Sequence, residues 1–70
     1  MKVYIVIDDE GWCYGRAFTN KNKAIQHMIK IIRANYDSYN DIEDNVLINH
    51  IKKRNYYFLN YRLEELEVIE

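Results

Sequence analysis

The sequence predicts an α+β fold: a two-layer sandwich in which a β-hairpin and a C-terminal strand form a three-stranded sheet, with two helices on one face. Three patterns predict it. Residues 3–7 read V-Y-I-V-I, β-branched and aromatic throughout, as strands favour. Ile25, Met28, Ile29, Ile32 and Tyr36 recur at helical spacing and make one apolar stripe. Tyr57, Leu59, Tyr61 and Leu63 then alternate with period two. At 70 residues the chain is a single domain, residues 1–70.

The first strand spans about residues 2–8. It is apolar on both faces, with Val3, Ile5 and Ile7 on one and Tyr4 and Val6 on the other, which suits a central strand. Asp9-Glu10-Gly11 follows as a turn. A three-residue hairpin loop ends in a left-handed residue that Gly11 fills well. That loop pairs Asp8 with Trp12, Ile7 with Cys13, Ile5 with Gly15 and Val3 with Ala17. A two-residue turn at Glu10-Gly11 shifts every pair by one and exchanges the buried face for the exposed one. Glu is a poor first residue of such a turn, which favours the longer loop.

The second strand, residues 12–18, reads W-C-Y-G-R-A-F, large and small in strict alternation. With the three-residue loop, the small residues Cys13, Gly15 and Ala17 join Val3, Ile5 and Ile7 under the helices. Tyr4, Val6, Trp12, Tyr14 and Arg16 are then expected on the outward face. Trp, Tyr and Arg dominate interface hot spots, so these five residues are the candidate partner-binding surface. With the two-residue turn the same rings are core.

Thr19 is the expected N-cap of a first helix over residues 20–35. Lys23, Gln26, Lys30 and Arg33 lie outside its apolar stripe, and His27 falls on its polar side. Residues 35–40 are polar and turn-prone. A second helix is expected over residues 41–53 with Ile42, Val46, Leu47 and Ile51 inward. Ser38, Asn40 and Asp41 are rival caps for it. Residues 56–70 form either a strand with a bulge at Glu64-Glu65 or two short strands. A terminal helix is the alternative, because L-E-E-L favours one.

Composition narrows the function classes. The formal net charge is −1, and charges of both signs look dispersed, so no global basic field is expected. Cys13 is the only cysteine, which excludes an internal disulfide. Small domains without such a staple rely on packing or on a partner subunit, and a homodimer is one expectation. No run is long enough for a signal peptide or a membrane span, so a cytoplasmic setting without membrane contact is expected. Cys13, His27 and His50 lack the paired spacing of a zinc site. No metal, cofactor or catalytic signature is found, and the chain is not expected to be an enzyme. Lys52, Lys53 and Arg54 next to Tyr56 are the candidate nucleic-acid contacts, cations beside a ring. A helix C-terminus also favours such cations.

The M-K-V-Y-I-V opening, the hairpin, the F-T-N-K-N-K-A entry to the first helix and the acidic closing segment L-E-E-L-E-V-I-E have a familiar order. It resembles small, mostly uncharacterised β-β-α-α-β proteins of bacteriophages and low-GC bacteria. The resemblance covers about half of the chain and implies the fold above. It also implies an inhibitor or adaptor of a host defence or regulatory factor. The partner is then a host protein met in the host cytoplasm.

Overall fold

The computed structural model describes residues 1–69. Strand β1 is Lys2–Asp8 and β2 is Cys13–Phe18. Helix α1, Lys21–Asn35, is followed by a short 3-10 turn, Asp37–Tyr39, and by α2, Asp44–Lys53. Two further strands close the chain, β3 at Tyr57–Phe58 and β4 at Tyr61–Glu67. The sheet is antiparallel with order β2-β1-β4-β3. It thus has four strands, not three, and β1 is central as expected.

The extra strand arises from a break two residues wide. Phe58 pairs with Tyr61, and Leu59 turns the chain with φ 58°. The expected irregularity at Glu64-Glu65 is not there. β4 pairs with β1 in one unbroken register from Lys2↔Glu67 to Asp8↔Tyr61, which excludes the terminal helix. Glu70 lies outside the described residues.

This pairing decides which face is buried. β1 is apolar on both sides, so it gives no preference of its own. β4 is not ambivalent: Tyr61 and Leu63 lie on one face, Arg62 and Glu64 on the other. Val6 opposes Leu63, and Ile5 opposes Glu64. Directly opposed residues share a face, so the helices cover Tyr4, Val6, Tyr61 and Leu63. Val6 is 0% exposed and sits in one cluster with Ile25, Met28, Ile32, Leu47, Ile51 and Phe58. The expectation that helices cover Val3, Ile5 and Ile7 is therefore reversed. Those side chains, with Leu66, face away from both helices.

The helices start later than expected. Asn20, not Thr19, caps α1: its Oδ1 accepts from the Lys23 backbone N–H at 3.1 Å. The three isoleucines and the methionine of the α1 stripe, Ile25, Ile29, Ile32 and Met28, are buried, but Tyr36 is past the helix end and exposed. Residues 37–39 take the 3-10 turn, and Glu43 is the cap position of α2 in place of Ser38, Asn40 or Asp41. Leu47 and Ile51 point inward; Val46 is exposed, and Ile48 packs on the core instead.

α2 stops at Asn55. The Tyr56 N–H donates to Ile51 O at 2.8 Å and the Asn55 N–H to Lys52 O at 3.3 Å. With Asn55 at φ 58°, this is the paired-bond helix ending in which Asn replaces the commoner Gly.

Candidate functional site

The β1–β2 turn is built around Asp8. The Gly11 N–H donates to Asp8 O at 3.0 Å, and Gly11 takes φ 87°. This is the expected three-residue loop. The Asp8 carboxylate is nearly buried beneath it. Its Oδ1 accepts from the N–H groups of Glu10 at 3.0 Å and Trp12 at 2.9 Å. Its Oδ2 accepts from the Tyr14 hydroxyl at 2.6 Å. The Tyr14 bond, aided by the turn N–H groups and opposed by burial, holds Asp8 below its ordinary carboxylate value. The same bond, with burial, pushes Tyr14 up to about 12.

That network fixes where Trp12 stands. Its N–H is held by Asp8 Oδ1, and its carbonyl accepts from the Asp8 N–H at 3.1 Å. The backbone is pinned on both sides, yet the residue is 68% exposed. Of the five expected partner-binding residues, Trp12 and Arg16 are exposed. Val6 is fully buried, and Tyr4 and Tyr14 are half-buried on the helix side of the sheet. Tyr14 stacks edge-on against Tyr61, with centroids 5.4 Å apart. The five residues therefore do not form one outward face. The physical reason is the β4 alternation, which turns the Tyr4–Val6–Tyr14 side inward.

Past Tyr14 the hairpin slips. Ile7 pairs with Cys13 and Val6 with Tyr14, but Tyr4 then pairs with Phe18. The expected pairs Ile5–Gly15 and Val3–Ala17 give way to a bulge of Gly15, Arg16 and Ala17 opposite Ile5. Gly15 takes φ 78°, and a Cβ there would lie 2.5 Å from His27 Nε2. Glycine is favoured on both counts. His27 Nε2 donates to Tyr14 O at 2.9 Å, since a carbonyl can only accept. His27 is therefore half-buried between helix and strand, not on a solvated polar side.

Bulge and helix enclose a groove of about 590 Å³. Gly15, Arg16 and Phe18 line it from β2. Lys23, Gln26, His27 and Lys30 line it from α1. The helix residues are at i, i+3, i+4 and i+7, a single stripe. No carboxylate lines it. Arg16, Lys23 and Lys30 form no ion pair among the described residues, whereas Arg33, further along α1, is paired with Asp44 at 2.6 Å. Arg16 is 5.7 Å and the His27 ring 5.2 Å from the centroid of the Phe18 ring.

The helix half of this groove escaped sequence reasoning, but a signal existed. Residues 11–36 hold Arg16, Lys21, Lys23, Lys30 and Arg33, while all 11 acidic residues lie outside that span. The charges are segregated, not dispersed.

The candidate nucleic-acid residues lie elsewhere. Lys52, Lys53 and Arg54 are exposed at the end of α2, where cations suit the helix C-terminus. Tyr56 is half-buried, with the Lys21 ammonium 3.8 Å from its ring centroid. None of these residues lines the groove.

Cys13 is exposed, not covered as its small size suggested. Among the described residues, no three His, Cys, Asp or Glu side chains are grouped to hold a metal ion, and no helix is long and apolar enough to cross a membrane. Comparison with protein-family models, with curated proteins and with solved structures gives no match.

Proposed function

We propose that this chain is a small, non-catalytic protein-binding module that occludes a partner surface with its β1–β2 arm. One observation carries the reading: Trp12, 68% exposed, stands on a backbone pinned from both sides by Asp8. Large rigid aromatics with little ordering left to lose make effective anchors. Arg16, in β2 four residues further on, adds a second exposed hot-spot residue type. Occlusion of a host factor in the cytoplasm agrees with the resemblance to phage proteins.

Capture from host lysate, with mass as the readout, tests it. Wild type retains a defined protein, and Trp12→Ala loses it while far-UV circular dichroism stays native. Equal capture by the variant, or no Trp12-dependent species, overturns the reading.

A homodimer is the second reading. It is favoured by the β1 face away from the helices, where Val3 and Ile5 are only half-buried and Leu66 is exposed. Sedimentation across a dilution series decides: a folded monomer at all concentrations excludes it.

A further inference from the structure

We infer that the groove between β2 and α1 receives an acidic segment of the partner protein. The inference rests on the protein-binding reading and names the chemistry of what is bound. Arg16, Lys23 and Lys30 line the groove with no carboxylate among them, and none is neutralised by a described neighbour. Lys23 and Lys30 are seven residues apart, so they stand roughly 10 Å apart along the helix. That separation does not converge on one small anion. It matches a row of carboxylates along an extended chain, which advances about 3.3 Å per residue.

Two observations favour a peptide over a nucleic acid. Single-strand binding needs free rings on which bases stack, and both rings of this groove are engaged: Phe18 has Arg16 5.7 Å and His27 5.2 Å from its centroid, and His27 is hydrogen-bonded to Tyr14 O. The cationic surface is also short. Outside residues 11–36 the cations are Lys2, Lys52, Lys53, Arg54 and Arg62, against all 11 acidic residues. A long polyanion leaving the groove would meet that excess of negative charge, whereas a short acidic segment would not.

Fluorescence anisotropy of a short labelled polyglutamate peptide tests the inference on the full chain. The peptide is expected to bind at low salt and to be released as salt rises from about 50 to about 500 mM. Lys23→Gln with Lys30→Gln is expected to weaken it roughly five- to tenfold. Lys52→Gln with Lys53→Gln is expected to leave it unchanged. The inference is overturned if the peptide fails to bind, or if the Lys52/Lys53 variant loses as much. It is also overturned if oligothymidylate binds more tightly, or if millimolar inorganic phosphate displaces the peptide completely. Lysate capture separates the two readings. Trp12-dependent capture without peptide binding removes the acidic segment alone. Peptide binding without Trp12-dependent capture removes the protein-binding module and leaves an anion groove.

Discussion

The β1–β2 and β3–β4 hairpins each give the sheet one edge strand and one central strand, and they use aromatic residues in opposite ways. In β3–β4, Phe58 and Tyr61 face each other across a two-residue turn, and both are buried. In β1–β2, the turn is longer, the register slips at Gly15, and Trp12 stays in solvent. Both hairpins feed the core, β3–β4 through Phe58 and Tyr61 and β1–β2 through Val6, but the β1–β2 turn is held in shape by hydrogen bonds to Asp8 and leaves Trp12 in solvent. Structural and functional rings can therefore be separated by substitution.

The largest expected effect is at the buried arm. Phe58→Ala should cost about 3–5 kcal/mol, enough to unfold a domain of this size in part. Trp12→Ala should change stability by no more than about 0.5 kcal/mol. Urea denaturation of the two variants measures the contrast. Similar losses at both sites would erase the distinction between the arms.

Gly15→Ala comes next. A residue with a Cβ in the left-handed region costs about 1–2 kcal/mol, and the contact with His27 adds to it. Adding His27→Ala should recover the contact penalty but not the backbone penalty, so the pair should be non-additive in a double-mutant cycle. Strict additivity would mean that the close approach does not shape the groove.

The smallest effect is a pH dependence in the exposed arm. The folded Asp8 lies below its ordinary value of 3.8. Its contribution is fully present above that value and is lost as pH falls through the lower folded value. Stability measured from pH 6 downward, roughly to pH 2, should decline more gently in Asp8→Asn than in the natural chain. Parallel curves would show that Asp8 does not brace the turn.

Much of the fold was legible because it rests on local chemistry. Gly11 marked the loop, and the Ile25–Met28–Ile29–Ile32 stripe marked α1 and its buried side. The face of the sheet was not legible from the hairpin. Both sides of β1 are apolar, and the large-small alternation of residues 12–18 fits either orientation. The deciding residues, Tyr61 to Glu64, are remote in sequence, and their parity matters only once they pair with β1. Asn55 and Leu59 were missed as turn residues because neither is Gly, yet both take φ 58°. For the site, Trp12 and Arg16 came from the sequence. Lys23, Gln26, His27 and Lys30 did not, because a polar helix stripe looks solvated until an edge strand lies beside it.

The middle of the sheet joins the two most distant parts of the chain. β1 and β4 pair along their whole length, from Lys2↔Glu67 to Asp8↔Tyr61, and the Val68 N–H donates to Met1 O at 2.7 Å. A nascent chain can close the β1–β2 hairpin early, but the centre of its sheet waits for β4 to be synthesised. Until then β1 keeps one open edge and two apolar faces. Non-local pairing of this kind slows folding, so the interval before β4 arrives is when this chain is most exposed to aggregation and to proteases.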